Sequence, residues 1–371
     1  MIDQSNKPFR VLHVVSIMDR AGQETLIMNL YRNINRDKIQ FDFLCTLAKK
    51  GDFDDEIFSL GGRIYHLPAN KYLKFKHFSN LETIFRLAQF LKMHTEFKTV
   101  HFHNYHAFST LVEILGAKIA KIPNIIVHSH NTSAPNGKIH KLVRPVLNLF
   151  KFKRLACSYD AGIWMYGHKK TFEVLKNGIH VEDFIFSQEI RNKLRKELGL
   201  EDKKIILHIG RFNYQKNHRF LIDVFSIIHK IEPSSHLLLV GRGELENKIK
   251  ELVNRYDLSD SISFLGIRDD IPALFNAADL FLFPSIFEGL SVVLVEAQAN
   301  GINILTTTNL AKETIYADNV FQLDTKINKQ IWAEKAIEIL NKEEHIPNIK
   351  QATNSGFDIK SISNKLTQYY F

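Results

Sequence analysis

Short apolar runs rich in β-branched residues recur through the first half of the chain, at Val11–Ser16, Phe41–Leu47, Arg63–Leu67, Thr99–His103, Asn124–His128 and Leu155–Ser158. Between several of them apolar residues return every three or four positions, over Glu24–Ile34, Leu81–Met93 and Phe108–Ala120. The first pattern predicts strands and the second predicts helices. Strand and helix in alternation imply an α/β fold with a parallel sheet covered on both faces. After Asn177-Gly178 and a charged stretch around Arg191–Asp202 the alternation restarts, with strands expected at Lys204–Ile209, His236–Val240, Ser261–Leu265, Leu280–Phe283 and Ile302–Thr306. This predicts two α/β domains, residues 1–185 and 186–355, facing across a cleft. Ligands of open α/β sheets bind beyond the carboxyl ends of the strands, so chemistry is expected where strands end.

Composition narrows the classes. The 371 residues, 45% hydrophobic and 24% charged, suffice for two domains of about 150 to 200 residues. No run approaches the ~20 continuous apolar residues of a membrane-spanning helix. The stretch Arg10–Ser16, interrupted by His13, reads as a first strand and not as a secretory leader. A cytoplasmic protein is the expectation. Cys45 and Cys157 lie in apolar strand-like runs without metal-ligand spacing and read as buried small side chains.

The net charge of +9 is uneven: residues 1–180 carry 26 Lys and Arg against 14 Asp and Glu. The richest stretch is 138–154, where Lys138, Lys141, Arg144, Lys151, Lys153 and Arg154 meet no acid and alternate with Leu142, Val143, Val146, Leu147, Leu149 and Phe150. Such a mixture suits peripheral contact with an anionic membrane surface. An ordinary basic helix packed on a sheet fits it equally. No nucleic-acid motif of recognised spacing is present, so nucleic acid is not an expected partner.

The second half holds the chemical motifs. One strand ends at Gly210-Arg211 and runs through Phe212-Asn213-Tyr214-Gln215 to Lys216-Asn217 before a helix. The guanidinium and the ammonium suit a diphosphate, by a planar fork and a point charge. The next strand closes on Val240-Gly241-Arg242-Gly243, a turn whose glycines permit close backbone approach at a helix start. After Leu280–Phe283 comes Phe287-Glu288-Gly289-Leu290-Ser291-Val292, with Glu296 eight residues beyond Glu288. Glu288 then lies in a loop and Glu296 inside a helix, two carboxylates at different depths for hydroxyl groups. Each element also has a plain structural reading, as a solvated pair, a tight turn, or a cap and an ion pair.

Taken together these residues resemble the GT4 family (glycosyl transferases group 1) of retaining glycosyltransferases, whose GT-B fold has two facing Rossmann-like domains; the resemblance implies that residues 356–371 form a closing helix that crosses back to the first domain. The likeness covers nearly the whole chain, from Val14–Thr25 through Gly210-Arg211…Lys216-Asn217 and the paired glutamates to Ala311-Lys312-Glu313. Its most specific element is the pair of glutamates eight apart with the Gly-Arg…Lys motif upstream. Within the family it looks closest to enzymes of capsule, exopolysaccharide or O-antigen assembly.

By resemblance, Arg211 and Lys216 hold the donor diphosphate, Glu288 faces the donor sugar and Glu296 takes the ribose hydroxyls. Leu290, Ser291 and Val292 offer backbone N–H groups, Ile267 and Arg268 lie against the base, and Gly241 and Gly243 line the donor site. In the first domain Gly22 lets backbone approach the donor phosphate, His130 reaches the donor sugar and His103 lies on the acceptor side. His128 shares a strand face with His130 and is the alternative. Two positions depart from the family pattern: Arg20-Ala21-Gly22-Gln23 where two consecutive glycines are common, and Ser291 where proline is frequent.

The implied reaction moves a hexose or N-acetylhexosamine from a nucleotide-sugar, with a UDP-sugar favoured, to a glycan or lipid-linked acceptor. It retains configuration and needs neither metal nor cofactor. Asp52-Phe53-Asp54 matches the manganese-binding DxD of another transferase fold but precedes Glu56-Ile57-Phe58 and reads as a capped helix start. Competing readings are a degenerate scaffold in a polysaccharide-assembly complex and a nucleotide-sugar epimerase of the same fold.

Overall fold

The structure, a computed structural model, describes residues 7–20, 22–67, 79–342 and 345–371. Ala21 of the expected glycine loop lies outside them. The chain divides into two units, Met1–Gly178 with Ile359–Phe371, and Ile179–Asp358. The divide falls ahead of the expected residue 185 because Ile179, Val181 and Phe184 are buried in the second unit's core.

The first unit contains strands β1 (Phe9–Val15), β2 (Ile39–Cys45), β3 (Ile64–His66), β4 (Thr99–Asn104), β5 (Asn124–Ser129), β6 (Lys153–Ala156) and β7 (Glu173–Val174). Its helices are α1 (Gly22–Asn33), α2 (Asp54–Ser59), α3 (Ser79–Met93), α4 (Ala107–Ile119), α5 (Gly137–Leu147) and α6 (Tyr159–Tyr166). The strands form one sheet in the order β3-β2-β1-β4-β5-β6-β7, and all pairs are parallel. In β1 the apolar residues Val11, Leu12, Val14 and Val15, on both sides of the strand, are all buried. A strand apolar on both sides needs a cover on each, which the crossover helices supply. Val11 and Val15 join one core with Leu26 and Ile27 of α1, while Leu12 and Val14 join the other with Ile114 and Ala117 of α4.

The second unit contains α7 (Gln188–Leu198), β8 (Lys204–Ile209), α8 (His218–Ile231), β9 (Ser235–Val240), α9 (Glu246–Arg255), β10 (Ile262–Gly266) and α10 (Ile271–Ala277). It continues with β11 (Leu280–Phe283), α11 (Val292–Asn300), β12 (Ile304–Thr307), β13 (Val320–Leu323), α12 (Lys329–Leu340) and α13 (Ile349–Asn354). Its sheet runs β10-β9-β8-β11-β12-β13, again parallel. The strand order reverses between β8 and β11, which pair at Ile206–Leu280 and Leu207–Phe281. Crossovers diverge to opposite faces at such a reversal and leave a crevice at the carboxyl end.

The last helix, α14 (Ile359–Thr367), belongs to the first unit. Ile359, Ile362, Leu366 and Tyr370 are buried there among Val11, Leu26 and Phe41. Each large apolar side chain so buried contributes roughly 1.5 to 3 kcal/mol. Thr99 Oγ1 donates to the Tyr370 carbonyl at 3.0 Å and Asn124 Nδ2 to that of Tyr369 at 2.8 Å, which fastens the chain end to β4 and β5.

Two local expectations change. The segment at Asp52-Phe53-Asp54 does start a helix, but no side chain caps it. Asp52 accepts from the Arg20 N–H at 3.1 Å and Asp54 from the Gly51 N–H at 3.0 Å, so both carboxylates tie loops and neither caps. The short edge strands β7 and β13 are new, since two to four half-buried residues carry too little periodicity to signal a strand. Among the described residues no helix is long and apolar enough to cross a membrane.

Candidate functional site

The reversal between β8 and β11 brings two loops together at the carboxyl edge of the second sheet. The Ile286 N–H donates to the Gln215 carbonyl at 2.8 Å, Gln215 Nε2 to that of Phe287 at 3.1 Å, and Asn217 Nδ2 to that of Pro284 at 3.2 Å. Asn217 adopts a left-handed conformation, φ 57°, a turn that asparagine tolerates better than most residues. Through this zipper Lys216 Nζ meets Glu288 Oε1 at 2.6 Å, and the two side chains are 16% and 7% exposed. The ammonium also lies 4.4 Å from the centre of the Phe283 ring. Asn213 Oδ1 accepts from the Lys216 N–H and holds the loop in shape.

Glu288 is anchored through its backbone. Its N–H donates to the Asn309 carbonyl and its carbonyl accepts from Ala311. Four residues on, α11 begins at Val292 behind Ser291, whose hydroxyl caps nothing. The first N–H groups of a helix have no intrahelical partner and carry its positive pole. Thus a half-shielded ammonium, a carboxylate and an uncapped helix start share one edge of the sheet. Glu296 sits in the second turn of α11, and burial pushes its carboxyl up to about 8.

Expected donor residues fall into two groups. Leu290, Ser291, Val292, Glu296, Glu288 and Lys216 stand on or beside this switch point. Arg211 has a different partner from Lys216: its side chain is 71% exposed and its guanidinium reaches Glu244 at 3.4 Å. Ile267 is exposed beyond β10, and Arg268 forks onto Asp270 with contacts of 2.7 and 2.5 Å.

Gly241 and Gly243 have a packing role. A Cβ on Gly241 would lie 2.2 Å from the Gly210 carbonyl oxygen, and one on Gly243 would lie 2.4 Å from that of Phe212. With φ +131° at Gly241 as well, packing of the β8 and β9 loops accounts for both glycines. Gly22 and Gly289 contrast with them, since a Cβ at either would meet nothing within 4 Å.

Two groups at the switch point escaped sequence reasoning. His208 Nε2 near the end of β8 and Ser285 Oγ just after β11 are buried without a hydrogen-bond partner among the described residues. The missing signal was strand pairing, because nothing in the sequence shows that β8 neighbours β11.

In the first unit Gly22 opens α1 after β1. His103 Nδ1 and His130 Nε2 lie 2.9 Å apart, and His103 Nε2 is 2.9 Å from His13 Nδ1. Burial lowers His13 and His130 to about 3. Burial, together with neighbouring imidazoles, also holds His101, His103 and His128 well below the ordinary range. All five rings are therefore neutral at physiological pH. His13, in an apolar β1, was missed as a member of this group, although the period-two spacing of 101/103 and 128/130 announces the rest.

Comparison with known proteins gives a consistent set of likenesses. Residues 190–355 match the family described as Glycosyl transferases group 1. EpsF of Bacillus subtilis, named as a glycosyltransferase, is 34% identical over 344 residues, covering 88% of this chain and 86% of that one. The capsular polysaccharide biosynthesis glycosyltransferase CapH of Staphylococcus aureus is 26% identical, covering 97% and 98%. Among solved structures, Anabaena HepE in complex with UDP superposes with a TM-score of 0.77 at 20% identity, covering 97% and 98%. That likeness places the fold in the GT-B class.

Proposed function

The chain belongs to the glycosyl transferases group 1 family, and from that premise we propose that this glycosyltransferase moves a hexose or N-acetylhexosamine from a nucleotide-sugar, a UDP-sugar foremost, to a glycan or lipid-linked acceptor in bacterial surface polysaccharide synthesis. The observation that carries the reading is Lys216 Nζ at 2.6 Å from Glu288, four residues ahead of an uncapped helix. The CapH name and the UDP complex of HepE favour polysaccharide synthesis and a uridine donor.

In this reading the donor diphosphate lies at the start of α11, where Leu290, Ser291 and Val292 present N–H groups and Lys216 supplies a fixed charge. As the anomeric bond breaks, negative charge grows on the diphosphate and these donors stabilise it. Arg211, exposed and only loosely paired with Glu244, swings onto the diphosphate when the donor arrives. Glu296 accepts from the ribose hydroxyls and Glu288 from the donor sugar, while Ile267 and Arg268 border the base. Gly22 admits the donor phosphate on the first unit, His130 reaches the sugar and His103 serves the acceptor side. Configuration is retained, the departing phosphate takes the acceptor proton, and the step uses no metal.

The test is calorimetry of the full chain with UDP, GDP, ADP and their sugar conjugates in chelator, followed by product analysis with glycan and polyprenyl-diphosphate acceptors. Saturable binding of one nucleotide family and acceptor-dependent transfer are expected. Binding without transfer to any acceptor returns the scaffold reading, and sugar isomerised without acceptor returns the epimerase.

A membrane-side acceptor gives α5 a purpose. Ile139, Leu142 and Val146 are exposed and recur at three- and four-residue steps, which puts them on one face of α5, and exposed Leu149 follows in the turn just beyond the helix. Lys138 and Lys141 flank them, whereas Arg144 turns inward and donates to the carbonyls of Ile163 and Trp164. We expect a cytoplasmic protein that sits peripherally on anionic bilayers. Cosedimentation should capture it on phosphatidylglycerol vesicles and not on phosphatidylcholine, and Leu142→Glu with Leu149→Glu should weaken capture about tenfold. Equal capture of the double variant would remove α5 from the contact.

A further inference from the structure

The first sheet holds a cluster of histidines larger than the pair, His103 and His130, that the transfer reading employs. His13 on β1, His101 and His103 on β4, His128 on β5 and His130 just beyond it form a ladder of touching imidazoles on one sheet face. Ring centroids lie 4.2 Å apart for His101–His103 and for His128–His130, and 5.2 Å apart for His103–His130. The strand register builds it, with His13 opposite His101 and His103 opposite His128.

Such a ladder is costly as mere packing. Phenylalanine would fill the space without bringing two polar nitrogens per ring into the interior. Both nitrogens of His128 and Nε2 of His101 are buried without any hydrogen-bond partner among the described residues. At one end His103, His128 and His130 each bring a ring nitrogen within 4.8 Å of the other two.

We propose that His103, His128 and His130 form a binding site for a zinc-class transition-metal ion. Three neutral imidazoles and no carboxylate suit Zn²⁺, Co²⁺, Ni²⁺ or Cu²⁺, whereas Mg²⁺, Ca²⁺ and Mn²⁺ prefer oxygen ligands. The supporting shell already exists. With Nδ1 of His103 on the ion, its Nε2–H donates to His13 Nδ1 at 2.9 Å, and His13 Nε2–H points at the Tyr370 hydroxyl at 3.5 Å. That chain sets the tautomer and orientation of the ligand, as outer-shell partners of metal-bound histidines do. His13, His101 and His103 also bring ring nitrogens within 4.8 Å of one another, but all three are buried. His130 is half-buried at the strand end and gives the first trio a route to solvent. Three protein ligands leave a coordination position for water or an oxygen of a bound molecule. On the reading that His130 reaches the donor sugar, an ion on its Nε2 withdraws that contact, so zinc restrains transfer.

Full-length protein without a histidine tag, stripped with chelator and titrated with Zn²⁺ by calorimetry, should bind one equivalent. Co²⁺ should occupy the same site with visible d–d absorption, and Mg²⁺ should not compete. His128→Asn and His130→Ala should each weaken Zn²⁺ binding at least thirtyfold, with the exposed His168→Ala unchanged. Should His128→Asn fail to fold, the half-buried His130→Ala decides. Absence of saturable Zn²⁺ binding overturns the site. So does affinity unchanged in both variants, or affinity lost only in His13 and His101 variants. Nucleotide binding to the second unit is measured separately, so either reading can fail without the other.

Discussion

Lys216→Ala should lower kcat/KM for transfer from a UDP-sugar by about 10²- to 10³-fold, roughly 3 to 4 kcal/mol of transition-state stabilisation. The effect is large because the charge is held in place before the donor arrives. Glu288 grips it at 2.6 Å, the Phe283 ring lies beneath it, and its stem passes over Gly210, where even an added Cβ would come within 3.1 Å of Cγ and Cδ. A preorganised cation needs little reorganisation as charge develops on the leaving diphosphate. Lys216→Arg should not restore the rate, since a planar fork does not follow the path of a single ammonium. The substitution also strands Glu288, 7% exposed, which lowers unfolding free energy by about 1 to 3 kcal/mol. Lys216→Ala combined with Glu288→Gln should recover most of that stability and none of the activity. Turnover of Lys216→Ala within threefold of the parent would remove Lys216 from the leaving-group site.

The second large effect belongs to Glu296. Burial raises its carboxyl from 4.5 to about 8, so between those values the folded chain holds a proton that the unfolded chain has released. Stability therefore falls as pH climbs through that window, by an order of 2 kcal/mol from pH 5 to 8 once partial exposure is allowed for. Glu296→Gln, neutral throughout, should flatten this contribution in urea unfolding curves.

Donor binding should run the other way. Ribose hydroxyls donate to a carboxylate, so UDP-sugar affinity should rise by up to about tenfold per pH unit from 6 to 8 and level above, about 10² in all. In Glu296→Gln the slope should vanish and the affinity at pH 8 should fall. A UDP-sugar is the better probe than UDP, whose terminal phosphate titrates nearby. A parent affinity that is flat with pH would show that Glu296 does not touch the donor.

The sequence was informative wherever one element carries its own signal. Strands apolar on both faces, such as Val11–Val15, required a covered parallel sheet. The turn at Glu288-Gly289 with Glu296 downstream placed one carboxylate in a loop and the other in a helix. It was silent where the cause lay in another segment. Gly241 and Gly243 read as glycines for a ligand, and the sequence did not show that the carbonyl oxygens of Gly210 and Phe212 also exclude a Cβ there. Arg211 and Lys216 read as two cations of one motif, and the sequence did not show their carboxylate partners, exposed Glu244 for the first and buried Glu288 for the second.

Local periodicity, strand ends and motif spacing thus determined by themselves the α/β class, the two repeats of it and most of the residues at the switch point. These depend on the chain's own geometry, whose periods of 2 and 3.6 are written in the order of residues. Only the tertiary structure decided that β8 lies against β11, that Lys216 meets Glu288, and that five histidines of β1, β4 and the end of β5 touch. Strand order and register arise from the joint burial of distant segments, and no short stretch of sequence encodes them.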